Sequence, residues 1–480
     1  MGSGRALLKN TGALGFSNIL TVISRTVLVL AISRLASVEG LGVYSTAMAF
    51  YYIASMWGTM GMINFLSREI AKYPEQTNRY FIHASLLTAI AALGMVGGLN
   101  SLPWIVTYSP QARLAIRLVS LAIVPGTLTI VLQAVFLAHQ RLEYFAMVSL
   151  VEAVGHITLS AFLLWKKAGA LGVIASFAFF RYFTVLTLGF LMTRLISRLR
   201  WEWDPAFLRS LLRGLRTFAA LGVLGALFAR PEVLLLSSLR GDKEIGLYSA
   251  ALWLVTLWYL IPSSYTTALF PQLARSYHQG QLQTIRFLQE RSVKYLEAIA
   301  WPLAVGIAVM ADEIIQIVFG ARFTPAATAL RLMSIVLVLN FLTRILSRIL
   351  FARDEQGLVL RVQNISLVAR LSLGGILIYI WGYLGAAITL VLSNIIMASL
   401  LLMYVYRGGT RLRIIHHTWR LVVASTGMGV LIAGLRPLLT VYWLVPIAIL
   451  AYTVLVGLLG GISREELAFL YRAWRPATSS

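Results

Sequence analysis

The sequence predicts an all-α protein that crosses a membrane about 14 times, as two six-helix lobes followed by a C-terminal helix pair. The 480 residues are 59% hydrophobic and 12% charged, whereas soluble proteins average about 45–50% apolar and about 25% charged residues. Apolar windows of about 20 residues, the length that crosses a bilayer core, recur along the chain. They lie approximately at 11–35, 42–65, 81–102, 114–137, 145–165, 170–193, 218–239, 246–269, 296–319, 328–350, 362–380, 385–406, 418–437 and 441–460.

The basic residues set the orientation of these segments, because Lys and Arg favour short cytoplasmic loops. With the N-terminus inside, the cytoplasmic side receives 25 basic residues and the outer side 8, and eight arginines stay within the segments. A missed or invented segment would mix the two sets. We therefore expect a multi-pass protein of the cytoplasmic (inner) membrane with both termini inside. The formal charge of +23 follows from this topology, so we expect no nucleic-acid partner.

An internal repeat supports the two lobes. Gly42–Ser45 (Gly-Val-Tyr-Ser) heads the second segment, and Gly246–Ser249 (Gly-Leu-Tyr-Ser) heads the eighth, 204 residues later. Two further short matches follow in the same order, at spacings of 214 and 213 residues. Because each repeat holds an even number of helices, both copies enter the membrane in the same direction, as parallel transporter repeats do.

The repeat predicts three regions. Residues 1–200 form the N-terminal lobe and the start of a cytoplasmic connector, 201–410 the end of the connector and the C-terminal lobe, and 411–480 an extra helix pair with a tail. The connector, near 193–217, is rich in arginine, tryptophan and leucine. This composition is typical of a helix in the headgroup layer.

The motifs argue against an enzyme. The chain has no cysteine, no phosphate-binding loop of the Gly-x-x-x-x-Gly-Lys-Ser/Thr type, and six histidines without metal-ligand spacing. We therefore expect no catalytic residue, no metal and no cofactor. A transporter without its own ATPase fits better.

The arginines within the apolar segments are the candidate substrate site. Ionised groups in hydrocarbon are costly and usually face a cavity or a partner, and several guanidinium groups together favour phosphate oxygens. Arg25 lies near the middle of its segment, too deep to reach an interface, whereas Arg34 and Arg117 are shallow enough to do so. The remaining candidates are Arg181, Arg230, Arg344, Arg348 and Arg370.

These candidates differ in how they are explained. Arg344 and Arg348, one helical turn apart, either share one phosphate or reach the cytoplasmic interface. Among the acids, Glu152 and Glu232 are candidates for proton or sodium coupling, and Glu232 could instead pair with a neighbouring arginine.

Short motifs resemble the Wzx-type polysaccharide flippases of the multidrug/oligosaccharidyl-lipid/polysaccharide (MOP) exporter superfamily. They are Leu41–Ser45, Arg68–Ala71, Ile245–Ser249, Phe270–Leu273 and Phe319–Phe323. The resemblance implies a MATE-like fold with two lobes around a central cavity, which alternates between inward and outward openings. It also implies that Arg25 matches a first-helix arginine of related flippases. Many members have an aspartate and a basic residue where this chain has Glu232 and Val233.

The resemblance further implies a cargo, an undecaprenyl-diphosphate-linked oligosaccharide that moves from the inner to the outer leaflet for surface polysaccharide synthesis. Its partners are then the lipid-linked glycan, membrane lipids and the polysaccharide biosynthesis machinery. Two alternatives stay open. One is a cation-coupled exporter of small molecules or drugs, although arginines outnumber acids in the segments. The other is a membrane glycan polymerase or ligase, although the predicted outer loops are short.

Overall fold

The computed structural model describes residues 20–59, 61–104, 106–215, 231–409 and 414–460, and every regular element in these ranges is helical. Ten helical stretches in them are long and apolar enough to cross a membrane. The all-α, multi-pass prediction is confirmed, and the number of 14 segments stays a prediction. The chain divides into two compact units, Met1–Ser249 and Ala250–Ser480. The division into regions at 200 and 410 likewise stays a prediction.

The first unit is built from eleven described helices. The first described helix, α1, covers residues 20–35, and α9 covers residues 205–215. The others are α2 (Val38–Thr59), α3 (Met62–Lys72), α4 (Thr77–Ser101), α5 (Pro110–Ser120), α6 (Ile123–Ala138), α7 (Leu142–Trp165), α8 (Gly169–Leu195), α10 (Pro231–Leu239) and the start of α11 (Asp242–Leu257).

The second unit contains the rest of α11 and eight further described helices. These are α12 (Leu260–His278), α13 (Leu282–Val309), α14 (Ala311–Val318), α15 (Ala326–Met333), α16 (Ile335–Ala352), α17 (Gln356–Arg407), α18 (Ile414–Leu435) and α19 (Val441–Leu458). Its core packs side chains of α13, α16 and α17, including Leu296, Phe341 and Leu401.

Several segments expected to be single helices are interrupted. The fourth is α5 and α6, which meet at Leu121 and Ala122, and the tenth is α15 and α16, which meet at Ser334. Segments eleven and twelve lie within one element, α17, which is broken by a kink at Gly382, where φ is 57°. Because side chains rarely adopt this left-handed backbone, glycine suits the kink.

Contacts between loops agree with the predicted sides of the membrane within the first unit. The Thr77 hydroxyl and His139 Nε2, from two loops predicted on the cytoplasmic side, are 2.9 Å apart. Ser109 donates a hydrogen bond to Asp242, and both lie in predicted outer loops. Loops assigned to one side therefore meet one another, as an alternating path across a membrane requires.

Candidate functional site

A cavity of about 360 Å³ lies inside the first unit, between α1, α2, α6, α7 and α8. Its volume is at the lower end of the roughly 300–1,000 Å³ that small-molecule sites occupy. Three predicted site residues, Arg25, Glu152 and Arg181, line it together. Sequence positions up to 156 residues apart, on three helices, thus meet around one space.

Close packing of α7 against α8 brings Glu152 to Arg181. Gly155 makes the approach feasible, because a Cβ atom there would overlap the ring of Phe180. Arg181 Nε lies 3.3 Å from Glu152 Oε1, and both side chains are mostly buried, with exposed fractions of 25% and 14%. The Thr184 hydroxyl donates a hydrogen bond to Glu152 Oε2 at 2.8 Å. The carboxylate is therefore held at both oxygens.

Aromatic rings frame the Arg181 guanidinium. Its Cζ lies 5.0 Å from the centroid of Phe177 and 5.9 Å from that of Tyr51, within the range of cation–π attraction. The two rings pack edge to face with centroids 4.8 Å apart. These contacts fix the direction of the guanidinium.

Arg25 occupies the α1 side of the cavity. It is half-buried, and its Cζ lies 5.8 Å from the ring centroid of Tyr52. On α7, His156 is buried and its Nε2 lies 3.3 Å from the carbonyl oxygen of Val173. The cavity thus presents two guanidinium groups and one carboxylate within an aromatic wall, an arrangement that can bind a phosphate-bearing group.

The aromatic wall was not predicted from the sequence. Tyr44, Met48, Tyr51, Tyr52 and Ser55 all line the cavity from α2. Their spacing places them on one face of a helix, which is the signal that could have identified them. This spacing was not sufficient, because the sequence of an apolar segment does not distinguish aromatic residues that face lipid from those that face a cavity.

Comparison with known families decides the classification. The family described as "Polysaccharide biosynthesis protein" matches residues 29–328. The chain belongs to this family. The resemblance to Wzx-type flippases of the MOP superfamily is confirmed.

Two relatives of this protein are described as probable flippases. "Probable low-salt glycan biosynthesis flippase Agl15" of Haloferax volcanii is 28% identical over 211 residues, 44% of this chain and 44% of the relative. "Probable lipid II flippase MurJ" of Bdellovibrio bacteriovorus is 28% identical over 178 residues, 35% of this chain and 34% of the relative. The chain therefore spans less than half the length of each relative in these alignments.

Solved structures agree on the fold. The lipid II flippase MurJ in an inward closed conformation has a TM-score of 0.77 at 16% identity, covering 97% of this chain and 99% of that one. An inward-facing MATE family transporter of the MOP superfamily has a TM-score of 0.68 at 15% identity, covering 83% and 98%. The expected MATE-like fold of the family member is thereby confirmed.

None of the other predicted site residues that the structure describes is among the lining residues of this cavity. Arg344 and Arg348 lie one turn apart on α16 in the second unit, where Arg344 is exposed and Arg348 Cζ is 5.5 Å from the ring centroid of Phe270. Arg370 is half-buried on α17. Glu232 is buried at the start of α10. Arg230 lies outside the described residues.

Arg34 and Arg117 were expected to reach an interface rather than a substrate. Both are exposed, Arg34 near the end of α1 and Arg117 in the last turn of α5. Neither lines the first-unit cavity. They therefore serve as comparison residues for the arginines that do.

Proposed function

We propose that this protein is a flippase that moves an oligosaccharide linked to undecaprenyl diphosphate from the cytoplasmic to the outer leaflet, for surface polysaccharide synthesis. The headgroup enters the cavity of the first unit, the polyprenyl tail stays in lipid, and alternating access exposes the headgroup outside. The protein's expected partners are membrane lipids and the polysaccharide biosynthesis machinery. The family membership and the flippase relatives support this proposal.

The proposed substrate class rests on one observation: Arg25 and Arg181, from two helices, line the same cavity. Moving a diphosphate through a membrane is slow because its charged oxygens lose their water. Guanidinium N–H groups replace part of that hydration with charge-assisted hydrogen bonds, and arginine keeps its charge when it is buried. The pair therefore offsets the desolvation of the diphosphate.

The rest of the cavity suits the first sugar. Tyr52, Phe145 and Phe177 present ring surfaces, while Gln133 and Ser149 supply hydrogen-bonding groups. An apolar wall with a few polar groups is typical of small-molecule sites. A volume of about 360 Å³ accommodates a diphosphate and a neighbouring sugar better than a complete oligosaccharide.

The second unit contributes further candidates. Arg344 and Arg348 on α16 offer a second anion site, and Arg370 on α17 adds another cation.

Three further residues belong to the first part of the chain. Arg230 is proposed as a substrate-binding residue from its sequence position. Glu152 and Glu232 are proposed to couple the cycle to protons or sodium ions.

Flipping by the purified protein in proteoliposomes tests the function. The substrate is a fluorescent polyprenyl-diphosphate glycan, and a membrane-impermeant quencher reports the leaflet. We expect Arg25→Gln and Arg181→Gln each to reduce the rate at least about tenfold, since each removes about 1.4 kcal/mol or more of anion stabilisation. Arg34→Gln and Arg117→Gln are matched controls that keep the wild-type rate.

Three results would contradict the proposal. The first is an unchanged rate in both cavity variants. The second is transport of a cationic amphipathic drug with no movement of the glycolipid, which indicates an exporter. The third is glycosyl transfer by the purified protein, which indicates an enzyme.

A further inference from the structure

One cavity side chain, that of Glu152, would compete with a substrate phosphate for Arg181. Glu152 Oε1 lies 3.3 Å from Arg181 Nε, on a guanidinium edge that a phosphate oxygen would also use. The carboxylate is not an incidental neighbour, because Thr184 holds its second oxygen at 2.8 Å. A substrate phosphate that binds the Nε edge of Arg181 must therefore displace Glu152.

We propose that Glu152 is an exchangeable counter-anion that occupies Arg181 in the empty cavity, yields it to the substrate diphosphate and reclaims it on release. This inference rests on the proposed flippase function. This role of Glu152 is separate from the ion coupling proposed above, and it needs no uptake of a proton or of sodium. Thr184 is a positioning residue, since it keeps the displaced carboxylate close to the guanidinium.

Electrostatics explains why such a group is useful. A buried guanidinium without a partner is strongly unfavourable, because attraction to water is lost and nothing replaces it. Glu152 pairs Arg181 while the cavity is empty. When a phosphate arrives, one anion replaces another on the same cation, so the empty and loaded cavities differ less in energy than with an unpaired arginine.

Turnover also needs a release step. Binding that is too tight slows the exit of a transported group, as it does in ion-conducting pores. The displaced carboxylate repels the bound diphosphate and competes for Arg181, and both effects favour release. The surrounding groups do not replace it in this role: Arg25 on α1 is cationic, and Tyr51 on α2 presents an aromatic ring to Arg181.

The central test compares affinity with turnover in Glu152→Gln. The probe is a short-chain prenyl diphosphate that carries one sugar, titrated into the full-length protein in nanodiscs. Removing the competing charge is expected to lower Kd about tenfold, equal to about 1.4 kcal/mol. The flipping rate in proteoliposomes is expected to fall at saturating substrate, because release becomes slower. A purely structural defect would weaken binding and slow turnover together.

Further variants separate charge from shape. Glu152→Asp restores the carboxylate and should return Kd toward the wild-type value. Glu152→Met, which is uncharged and similar in length, should tighten binding like Glu152→Gln and serves if the amide variant misfolds. Glu290→Gln is the matched control, because Glu290 forms a 3.1 Å ion pair with Arg286 on an exposed face of α13; its Kd should not change.

The outcomes distinguish this inference from the function on which it rests. Wild-type protein that neither binds the probe nor flips the glycolipid refutes the proposed function. Wild-type protein that does both, with Kd unchanged or higher in Glu152→Gln and Glu152→Met, refutes the counter-anion alone. Tighter binding with slower flipping in either variant supports it.

Discussion

At the scale of single residues, the lack of a side chain at Gly126 shapes the cavity as much as the charges do. Gly126 on α6 lies against the Tyr51 hydroxyl, and a Cβ atom at this position would overlap the hydroxyl oxygen. The ring centroid of the same tyrosine lies 5.9 Å from Arg181 Cζ. A substitution at Gly126 therefore acts on the guanidinium through a tyrosine.

We expect Gly126→Ala to weaken binding of the short-chain diphosphate probe about tenfold. Overpacking of this kind costs about 1–3 kcal/mol, and here it displaces the group that directs Arg181. Titration of the purified variant measures the effect. Gly94→Ala is the control, because no atom lies within 4 Å of a Cβ there. Equal affinities for the two variants would remove Tyr51 from the description of the site.

The sequence revealed charges in the site but not their pairing. Arg25 and Arg181 were identifiable because an arginine in an apolar segment needs a polar environment. The contact of Glu152 with Arg181 depends on how closely α7 and α8 pack, which a sequence pattern does not encode. The exposure of Arg344 likewise depends on how α16 packs, so the position of this residue along its apolar segment did not predict it.

At the scale of elements, the repeated Gly-x-Tyr-Ser motifs correspond to a close helix crossing within the first unit. A Cβ atom on Gly42 would overlap the carbonyl oxygen of Asp242, and one on Gly246 would overlap that of Val38. Each glycine therefore lies against the backbone four residues before the other. The repeat was visible in the sequence, whereas the contact between its two copies was not.

We expect Gly42→Ala to be strongly destabilising, because neither backbone can yield without separating α2 from α11. Overpacking costs about 1–3 kcal/mol where side chains can move, and a clash with a carbonyl leaves less freedom. Thermal unfolding in detergent, followed by tryptophan fluorescence, measures the loss. Gly97→Ala, with no atom within 4 Å of its added Cβ, should match the wild-type Tm. An unchanged Tm in Gly42→Ala would contradict the crossing.

The breaks within two apolar segments were not predicted from hydropathy. Apolar residues continue across the break at Leu121 and Ala122 and across the one at Ser334. A hydropathy window therefore reads one helix in each case. Pro125 accounts for the first break, because it has no N–H group to bond the Leu121 carbonyl. The kink at Gly382 was predictable, since glycine separates the two apolar runs there.

The connector is attached to α4 through Asp204. Its carboxylate accepts hydrogen bonds from the backbone N–H groups of Phe207 and Ala206 at 3.2 and 2.8 Å, and pairs with Arg79. The Phe207 N–H and the Arg79 guanidinium hold the pKa of Asp204 below its ordinary value. The nearby His83 accepts a hydrogen bond from the Asp204 backbone N–H.

Asp204 should therefore make attachment of the connector dependent on pH. A carboxyl whose pKa is lower in the folded state stabilises that state above its unfolded pKa of about 3.9, and the contribution is lost as pH falls through the folded value. We expect hydrogen exchange in residues 196–215 to be faster in Asp204→Asn than in wild type near neutral pH. This difference should vanish in acid. Comparing the two proteins at each pH removes the pH effects that they share, and a pH-independent difference would contradict the assignment.

At the scale of the whole molecule, the predicted sides of the membrane are consistent inside each unit. In the second unit, Arg353 donates to the Tyr277 hydroxyl at 3.0 Å, and both are in predicted cytoplasmic loops. Arg436 and Asp312, 2.8 Å apart, are near predicted outer ends. The alternation could be read from basic residues because each extra crossing reverses their bias. Contacts alone do not say which side is the cytoplasm.

Labelling of single cysteines determines that side. The chain has no cysteine of its own, so each introduced thiol reports one position without interference. Lys166→Cys and Leu438→Cys, at exposed sites of the first and second units, should react with a membrane-impermeant maleimide in intact cells. Glu75→Cys and Gln279→Cys, also exposed, should react only after the membrane is opened. Each unit supplies one position on each predicted side. In a unit with the opposite orientation, the position predicted outside would react only after the membrane is opened, and the position predicted inside would react in intact cells. Such an exchange would contradict parallel repeats, and exchange of all four would place both termini outside.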